Sequence, residues 1–357
     1  DYWRKMAIFI AALPALPCLM EKKRVTIRDI AARAGVSISL VSFVMNNCVS
    51  ADGKRKYRVS EEKRRQILQA ARELDYRPDA AARMLRGGRS LVIGVVLSDI
   101  SNIFYGEIAR RLEDIAYQRG YTVLIGSTDE NPSKLDRIVR AFIDKRVDGF
   151  IIVPCEGSEE SIAGILRARI PVVVLDRRDF AVEAPTVVLD NVGAMCKAVN
   201  LLFGQGVRHI DMFSYTLRVS SIVEREQGYI RCMHDAGLDS RIRIHRVPFE
   251  RIDESVRELM PGVLDGAPEG LVFATNSLTL AAIRDLTRRG WRLQEQIRIV
   301  GFDDSEVYSL FSPPISHIRQ PVEEICRVAS DELFDLIDGR TEQQRRELVL
   351  ESHIVEL

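Results

Sequence analysis

The sequence predicts two folds in one chain: a small all-α helix-turn-helix head, then an α/β body whose doubly wound parallel sheets form two lobes. Three observations carry this reading. Residues 21–90 have a formal charge of +9, against −10 for residues 91–357 and zero for the whole chain. Up to Leu74 the apolar residues recur at the three- and four-residue spacing of helices. From Leu91 onward short uninterrupted apolar runs alternate with amphipathic stretches, the pattern of strands buried on both faces between helices. A chain of 357 residues is also longer than one core usually organises.

The charge split implies that the head meets a polyanion. Six cysteines (Cys18, Cys48, Cys155, Cys196, Cys232 and Cys326) include no Cys-x-x-Cys pair, and the five histidines are dispersed. Neither a zinc finger nor a metal site nor a cofactor is therefore expected, and reduced thiols in the cytoplasm are. Residues 6–19 are apolar behind Arg4 and Lys5 but are interrupted by Pro14 and Pro17. Residues 1–20 are expected to be a disordered upstream extension, with a natural start near Met20. No run elsewhere is long and apolar enough to span a bilayer, so no membrane partner is expected.

In the head, Thr26 precedes Ile27, Ile30, Ala31 and Ala34, with Asp29 placed to favour the positive end of the helix. Gly35 ends this helix because glycine takes the left-handed conformation that a tight turn needs. Ser37 caps a second helix running from Ile38 to about Asn46, with Val36, Leu40, Val41 and Val44 on its buried side. Two short helices joined in this way form a helix-turn-helix, whose second helix enters the DNA major groove, although a hairpin within a larger bundle would read the same. Ser60 opens a third helix through Leu74, with Ile67, Leu68, Ala71 and Leu74 on one face, and Asp75-Tyr76-Arg77-Pro78 stops it.

The run from Val25 to Arg89 resembles the lac repressor (LacI/GalR) family of bacterial transcriptional regulators. The resemblance rests on Val25-Thr-Ile-Arg-Asp-Ile-Ala, Ala34-Gly-Val-Ser, Val41-Ser, Val44-Met-Asn, Val59-Ser-Glu-Glu and Tyr76-Arg-Pro-Asp-Ala-Ala-Ala-Arg-Met-Leu. It implies that Ile38, Ser39 and Phe43 face base edges, and that Thr26, Ser37, Ser42 and Asn46 face phosphate or hold the register. It also implies a hinge helix over residues 79–85. There Leu85 would wedge into the minor groove, with Arg83 and Arg86 beside it. Two departures stand out. Phe43 replaces a frequent arginine and offers apolar contact in place of guanine readout. Residues 47–58 are longer than usual and hold Lys54, Arg55, Lys56 and Arg58, which suit either phosphate contact or a solvated loop.

In the body, strands are expected at residues 91–97, 121–125, 149–153, 172–175, 186–189, 210–213, 270–274 and 297–301. Helices are expected at 108–119, 134–145, 159–168 and 193–204. Ligands of open parallel sheets bind beyond the carboxyl ends of the strands, which nominates Asp99, Asn102, Phe104, Tyr105, Asp176, Arg177, Asn276, Asp303 and Asp304. The same residues have plainer uses, as helix caps or core aromatics. Here too the sequence resembles the lac repressor family and, more distantly, periplasmic sugar-binding proteins. The stretches are Asp99-Ile-Ser-Asn-Ile-Phe-Tyr, Arg146-Val-Asp-Gly, Val187-Val-Leu-Asp-Asn, Glu224-Arg-Glu-Gln-Gly-Tyr and Val300-Gly-Phe-Asp-Asp. This resemblance implies effector contacts from Asp99, Phe104, Asp176, Arg225, Phe249, Asn276, Asp303 and Gln320. Ser277 stands where the family usually has an acid.

The expected organisation is thus a DNA-binding domain (21–77), a hinge (78–90) and an effector-binding, dimerising body (91–357). The implied partners are near-palindromic double-stranded operator DNA, a second copy of the chain through residues 108–117 and 323–336, and a small-molecule effector. A sugar or sugar phosphate is the first expectation for the effector, a nucleoside the second. The alternative is a soluble sugar-binding protein without DNA binding, which the head opposes. No Gly-x-Gly-x-x-Gly after the first strand, phosphate-binding loop or nucleophile elbow is present, so no catalytic residue and no enzyme is expected.

Overall fold

The structure is a computed structural model that describes residues 25–45, 59–76, 88–178 and 182–356. The chain divides between Arg89 and Ser90 into two compact units. The first unit contains three helices among its described residues: α1 (Ile27–Ala34), α2 (Ile38–Met45) and α3 (Glu61–Glu73). Their core consists of Ile30, Ala31, Val41, Val44, Ile67, Ala70 and Ala71. The Asp29 carboxylate accepts from both the backbone N–H and the hydroxyl of Thr26, at 2.7 Å each, which closes the first turn of α1. Ser37 Oγ accepts from Leu40 N–H at 3.2 Å at the start of α2. A salt bridge of 2.8 Å from Arg33 to Glu73 ties α1 to α3.

Between α1 and α2 the chain turns at Gly35, whose φ is +63°. No atom lies within 4 Å of a Cβ built there, so the backbone conformation alone selects glycine. Gly35→Ala is expected to lower head stability by about 1 kcal/mol, while Gly35→Asn, better tolerated at positive φ, recovers part of it. Thermal melting of the three proteins checks the order.

The second unit contains two six-stranded sheets. The first lobe is built from β1 (Val92–Leu97), α4 (Ile103–Gln118), β2 (Thr122–Ser127), α5 (Pro132–Asp144), β3 (Gly149–Ile152), α6 (Glu159–Arg167), β4 (Val172–Leu175) and β5 (Pro185–Leu189). The second lobe follows with α7 (Asn191–Gly204), β6 (Ile210–Tyr215), α8 (Ser220–Asp235), β7 (Ile244–Val247), α9 (Ile252–Asp265), β8 (Gly270–Phe273), α10 (Asn276–Arg288), β9 (Arg298–Phe302) and β10 (His317–Arg319). The chain then returns α11 (Val322–Ile337) and β11 (Arg346–Leu350) to the first lobe and ends with β12 (His353–Val355) on the second. The sheet orders are β11-β5-β4-β3-β1-β2 and β12-β10-β9-β8-β6-β7. Every pair is parallel except β10–β12.

The strands form because their apolar runs are buried on both faces. Phe150, Ile151 and Ile152 of β3, for example, are fully enclosed. α4 begins at Ile103, five residues before the helix expected from 108, because Asn102 accepts from Phe104 N–H and caps it. Three crossings join the lobes, at residues 190–191, 320–321 and 351–352, and they lie together. Asp190 N–H donates to Leu350 O at 2.8 Å, and Lys197 Nζ donates to Ser352 O at 2.7 Å. The expected upstream extension, the long 47–58 loop and the hinge positions 79–85 lie outside the described residues. Among the described residues no helix is long and apolar enough to cross a membrane, and no group of side chains is arranged to hold a metal ion.

Candidate functional site

In each lobe the strand ends bring polar side chains to the opening between the lobes. β1 delivers Ser98 and Asp99, β4 delivers Asp176 and Arg177, β8 delivers Thr275 and β9 delivers Asp303. A cleft of about 470 Å³, counted out to the open solvent at its mouth, lies among them. Of the twelve residues nominated from the sequence, Asp304 pairs instead with His317 and Arg319, and ten line the cleft: Asp99, Asn102, Phe104, Tyr105, Asp176, Arg177, Arg225, Phe249, Asp303 and Gln320. Asn276 does not. Its side-chain amide donates to the Tyr308 hydroxyl at 2.9 Å, and its backbone N–H reaches Asp303 Oδ2 at 3.3 Å, so it braces the wall from behind.

Some of these residues keep a plainer use as well: Phe104 and Tyr105 belong to the core of the first lobe, and Asp99 accepts from Ser101 N–H and Oγ at 2.9 and 2.6 Å. Glu224 pairs with Arg178 and Glu226 with Arg246, which leaves Arg225 to turn inward, where only 4% of it is exposed. Its Nε donates to Asn191 Oδ1 at 2.8 Å and Nη1 to Ala274 O at 2.7 Å, and its guanidinium lies 4.0 Å from the Phe302 ring centroid. Asp303 has φ +62° and Asp176 φ +66°, a left-handed backbone that turns both carboxylates into the cleft. Asp303 accepts from Gln320 Nε2 at 2.7 Å; burial raises its carboxyl above the usual range, although Arg225 opposes this. Tyr105 donates to Asp176 Oδ2 at 2.8 Å, and burial pushes its hydroxyl well above the ordinary tyrosine value.

Some lining residues, Glu130 and Tyr215 among them, escape sequence reasoning. Glu130 and Arg177 form a two-pronged buried pair, with Nη1 to Oε2 at 2.9 Å and Nη2 to Oε1 at 2.6 Å. Burial works against the charge on Arg177 but is outweighed by Tyr105, Glu130 and Asp176, so its pKa rises. Tyr215, which receives a 3.0 Å bond from Thr275, stands edge-on to Phe249 with ring centroids 5.9 Å apart. The spacing of 47 residues between Glu130 and Arg177 belongs to no local period, and only the sheet order brings them together.

The charges decide what the cleft can hold. Four carboxylates (Asp99, Glu130, Asp176 and Asp303) line it against two guanidiniums, Arg177 and Arg225. Gln320 Oε1 is buried without a protein partner and calls for a hydrogen-bond donor. Acceptors outnumber free donors, and aromatic faces flank them. This suits a neutral, hydroxyl-rich ring and opposes an added phosphate.

A further contact bridges the lobes. Arg178 of the first lobe holds both oxygens of Glu224 on α8 at 2.5 and 2.6 Å and Glu347 of β11 at 2.6 Å. Its backbone N–H also donates to Ser220 Oγ at 2.7 Å.

The head carries the second candidate surface. Thr26, Ser37, Ile38 and Ser39 are exposed, and Ser42 and Phe43 are half-buried. Ile38 leaves 44% of its surface open, although it lies at the start of a helix whose other face is core. Residues 38, 39, 42 and 43 share one side of α2 by helical spacing. Asn46, Arg83, Leu85 and Arg86 lie outside the described residues.

Residues 26–79 match the family model of bacterial regulatory proteins, lacI family, and residues 199–356 that of a periplasmic binding protein-like domain. The chain is 30% identical to catabolite control protein A of Priestia megaterium over 309 residues, covering 85% of this chain and 90% of that protein. Among solved structures it is similar to the lac repressor dimer bound to operator and the anti-inducer ONPF. That match has a TM-score of 0.79 and 24% identity, over 94% of this chain and 98% of the other. It is also similar to a complex of the transcriptional regulator CelR with cellobiose. Here the TM-score is 0.66 and the identity 26%, over 93% of this chain and 99% of the other.

Proposed function

Since the chain belongs to the lacI family of bacterial transcriptional regulators and is a DNA-binding regulator of that type, we propose that it is a cytoplasmic, homodimeric repressor. Its operator affinity is set by an uncharged, hydroxyl-rich effector, a sugar in preference to a sugar phosphate or nucleoside. The observation that carries the ligand class is the excess of carboxylates over guanidiniums in the cleft, together with the unpartnered Gln320 Oε1. A phosphate entering there would meet uncompensated negative charge. The relatives and neighbours support the frame: one solved neighbour is a dimer on its operator, another a complex with cellobiose. The protein binds its effector and releases it unchanged; it is not an enzyme.

Each effector-facing residue follows from its setting. Asp99, Asp176 and Asp303 accept from ligand hydroxyls, Arg225 donates, and Gln320 receives a hydroxyl hydrogen at its free oxygen. Phe104, Tyr105 and Phe249 cover the ring, Asn102 fixes the edge of the cleft, and Asn276 holds Asp303 in place. Closure on the ligand favours one angle between the lobes and so one spacing of the two hinge segments, 78–90, of a dimer. The effector changes DNA affinity only as far as it binds one state better than the other. In the head, Ile38, Ser39 and Phe43 read base edges. Thr26, Ser37, Ser42, Asn46, Arg83 and Arg86 meet phosphate, and Leu85 wedges into the minor groove.

Selection of binding sites from randomised duplexes, with and without a panel of neutral sugars, their phosphates and nucleosides, tests this proposal. The expected result is a near-palindrome whose enrichment responds to a neutral sugar and weakens with salt. A response confined to phosphorylated compounds or nucleosides overturns the ligand class. In the same assay Phe43→Arg is expected to shift the preferred base at its position toward guanine, about 1–3 kcal/mol of new discrimination. An unchanged site would place Phe43 away from the bases.

The Arg178–Glu224 bridge holds the cleft in the conformation seen here. Glu224→Gln is expected to remove about 1 kcal/mol of lobe–lobe attraction and to weaken effector binding by about fivefold. Titration calorimetry, with small-angle scattering for the opening of the lobes, checks both.

A further inference from the structure

α7 and α8 pack unusually close. A Cβ built on Gly228 of α8 would fall 2.5 Å from the carbonyl oxygen of Val192 and 3.0 Å from Cβ of Met195, both on α7. One helical turn beyond that contact, four residues on in each helix, stand Cys196 and Cys232. α7 leads into β6 and α8 joins β6 to the parallel strand β7, so the helices run side by side in the same direction and the close approach at Gly228 is carried forward to the cysteines. Cys196 Sγ donates to Gly228 O at 3.3 Å, the carbonyl one helical turn before Cys232, so the two cysteines stand on facing turns of the helices. Cys232 is buried, while Cys196 is half-exposed. The other two cysteines among the described residues, Cys155 and Cys326, are buried on the first lobe.

We propose that Cys196 and Cys232 form a reversible dithiol–disulfide site, oxidised by a peroxide of the hydrogen-peroxide class. Attack of the Cys196 thiolate on the peroxide breaks the O–O bond, giving a sulfenic acid at Cys196 and hydroxide, which takes up the proton released when the thiolate formed and leaves as water. The Cys232 sulfur then displaces the hydroxyl of that sulfenic acid. An S–S bond forms, the thiol proton leaves with the departing hydroxide as a second water, and the two thiols have given up two electrons in all. The division of labour follows from the surroundings. Cys196 is the half-exposed thiol that a peroxide can reach, whereas Cys232 is buried behind it. Cys196 is therefore the attacking thiol and Cys232 the resolving one.

The site matters because of what the two helices carry. α7 begins at Asn191 and α8 holds Arg225, and the Asn191–Arg225 hydrogen bond forms the cleft wall on the far side of the Gly228 contact. A disulfide at 196–232 clamps the helices on one side of that contact and so limits the freedom of the arginine on the other.

The purified full chain, with Cys18 and Cys48 replaced by serine, is treated with equimolar hydrogen peroxide and digested without reduction for mass spectrometry. The expected product is one peptide pair linking residues 196 and 232, two mass units lighter than the reduced peptides and restored by dithiothreitol. Cys232→Ser is expected to leave Cys196 as a trappable sulfenic acid. Cys196→Ser is expected to leave Cys232 unreacted, and Cys155→Ser with Cys326→Ser to leave the crosslink intact. Oxidation of Cys196 straight to sulfinic acid in the parent protein, or survival of both thiols while a peroxide-sensitive control is consumed, overturns the proposal. Circular dichroism of each variant confirms that the fold is kept.

Discussion

Ile67→Ala is expected to abolish operator binding while the thermal transition of the body stays where it was. Ile67 is fully buried in a core that has only seven buried residues among the described ones, five of them alanine or valine alongside Ile30. Deleting three of its side-chain carbons removes the transfer energy and leaves a cavity, together about 2–5 kcal/mol. A unit of this size holds about 3–7 kcal/mol in all, at the usual stability per residue. The substitution therefore consumes most of the margin. Calorimetry should show the head transition lost or far lowered and the body transition kept. DNA binding at fixed salt should fall at least about a hundredfold, as about 3 kcal/mol implies. A single transition that moves as a whole would show instead that the two units unfold together.

The second large effect concerns Arg225. Its guanidinium joins three parts of the second lobe: Asn191 at the start of α7, Ala274 at the end of β8, and the Phe302 ring on β9. It is also the positive charge that opposes the burial of Asp303. Arg225→Met keeps the length and removes the charge, leaving Asn191 Oδ1 and Ala274 O without their donor. Breaking a buried, hydrogen-bonded charge in this way costs about 3–5 kcal/mol. Effector binding is expected to fall more than about a hundredfold by titration calorimetry, and the DNA response with it. Arg225→Lys, which keeps the charge but not the planar fork, is expected to recover only part of the loss. Full effector binding by Arg225→Met would make the arginine a purely structural brace.

Legibility in the sequence followed the periods of the elements. β1, β3 and β4 are unbroken apolar runs and could be read directly, as could the helix-turn-helix, where Gly35 and Ser37 mark the turn. β7 (Ile-His-Arg-Val) is an edge strand with two polar residues, and its pattern resembles a loop. α9 carries Pro261 inside it, normally a sign that a helix has ended. α8 buries Arg225 and Glu226 along with Tyr229, so its buried face is not apolar and its helical stripe is hidden. The cleft divides similarly. Residues that follow strands, such as Asp99, Asp176 and Asp303, are found by the loop-end rule. Arg177 is found by the same rule, but its burial as a charge depends on Glu130, a partner that no local pattern names. Asn276 shows the rule overreaching: it stands at a strand end and helps the cleft without lining it.

The threefold crossing between the lobes also bears on how the chain is made. The first lobe's sheet is completed by β11, and α11 covers one of its faces, but both leave the ribosome only after the whole of β6–β10. The lobe that begins first must therefore wait, with β5 an unpaired edge, until about 130 residues of the other have emerged. The second lobe lacks only the short β12 at that stage and has most of its own core in hand. Order of synthesis and order of completion are thus reversed. A nascent chain stopped before residue 320 should present a nearly finished second lobe beside a sticky, half-built first one, the species that a holding chaperone would recognise.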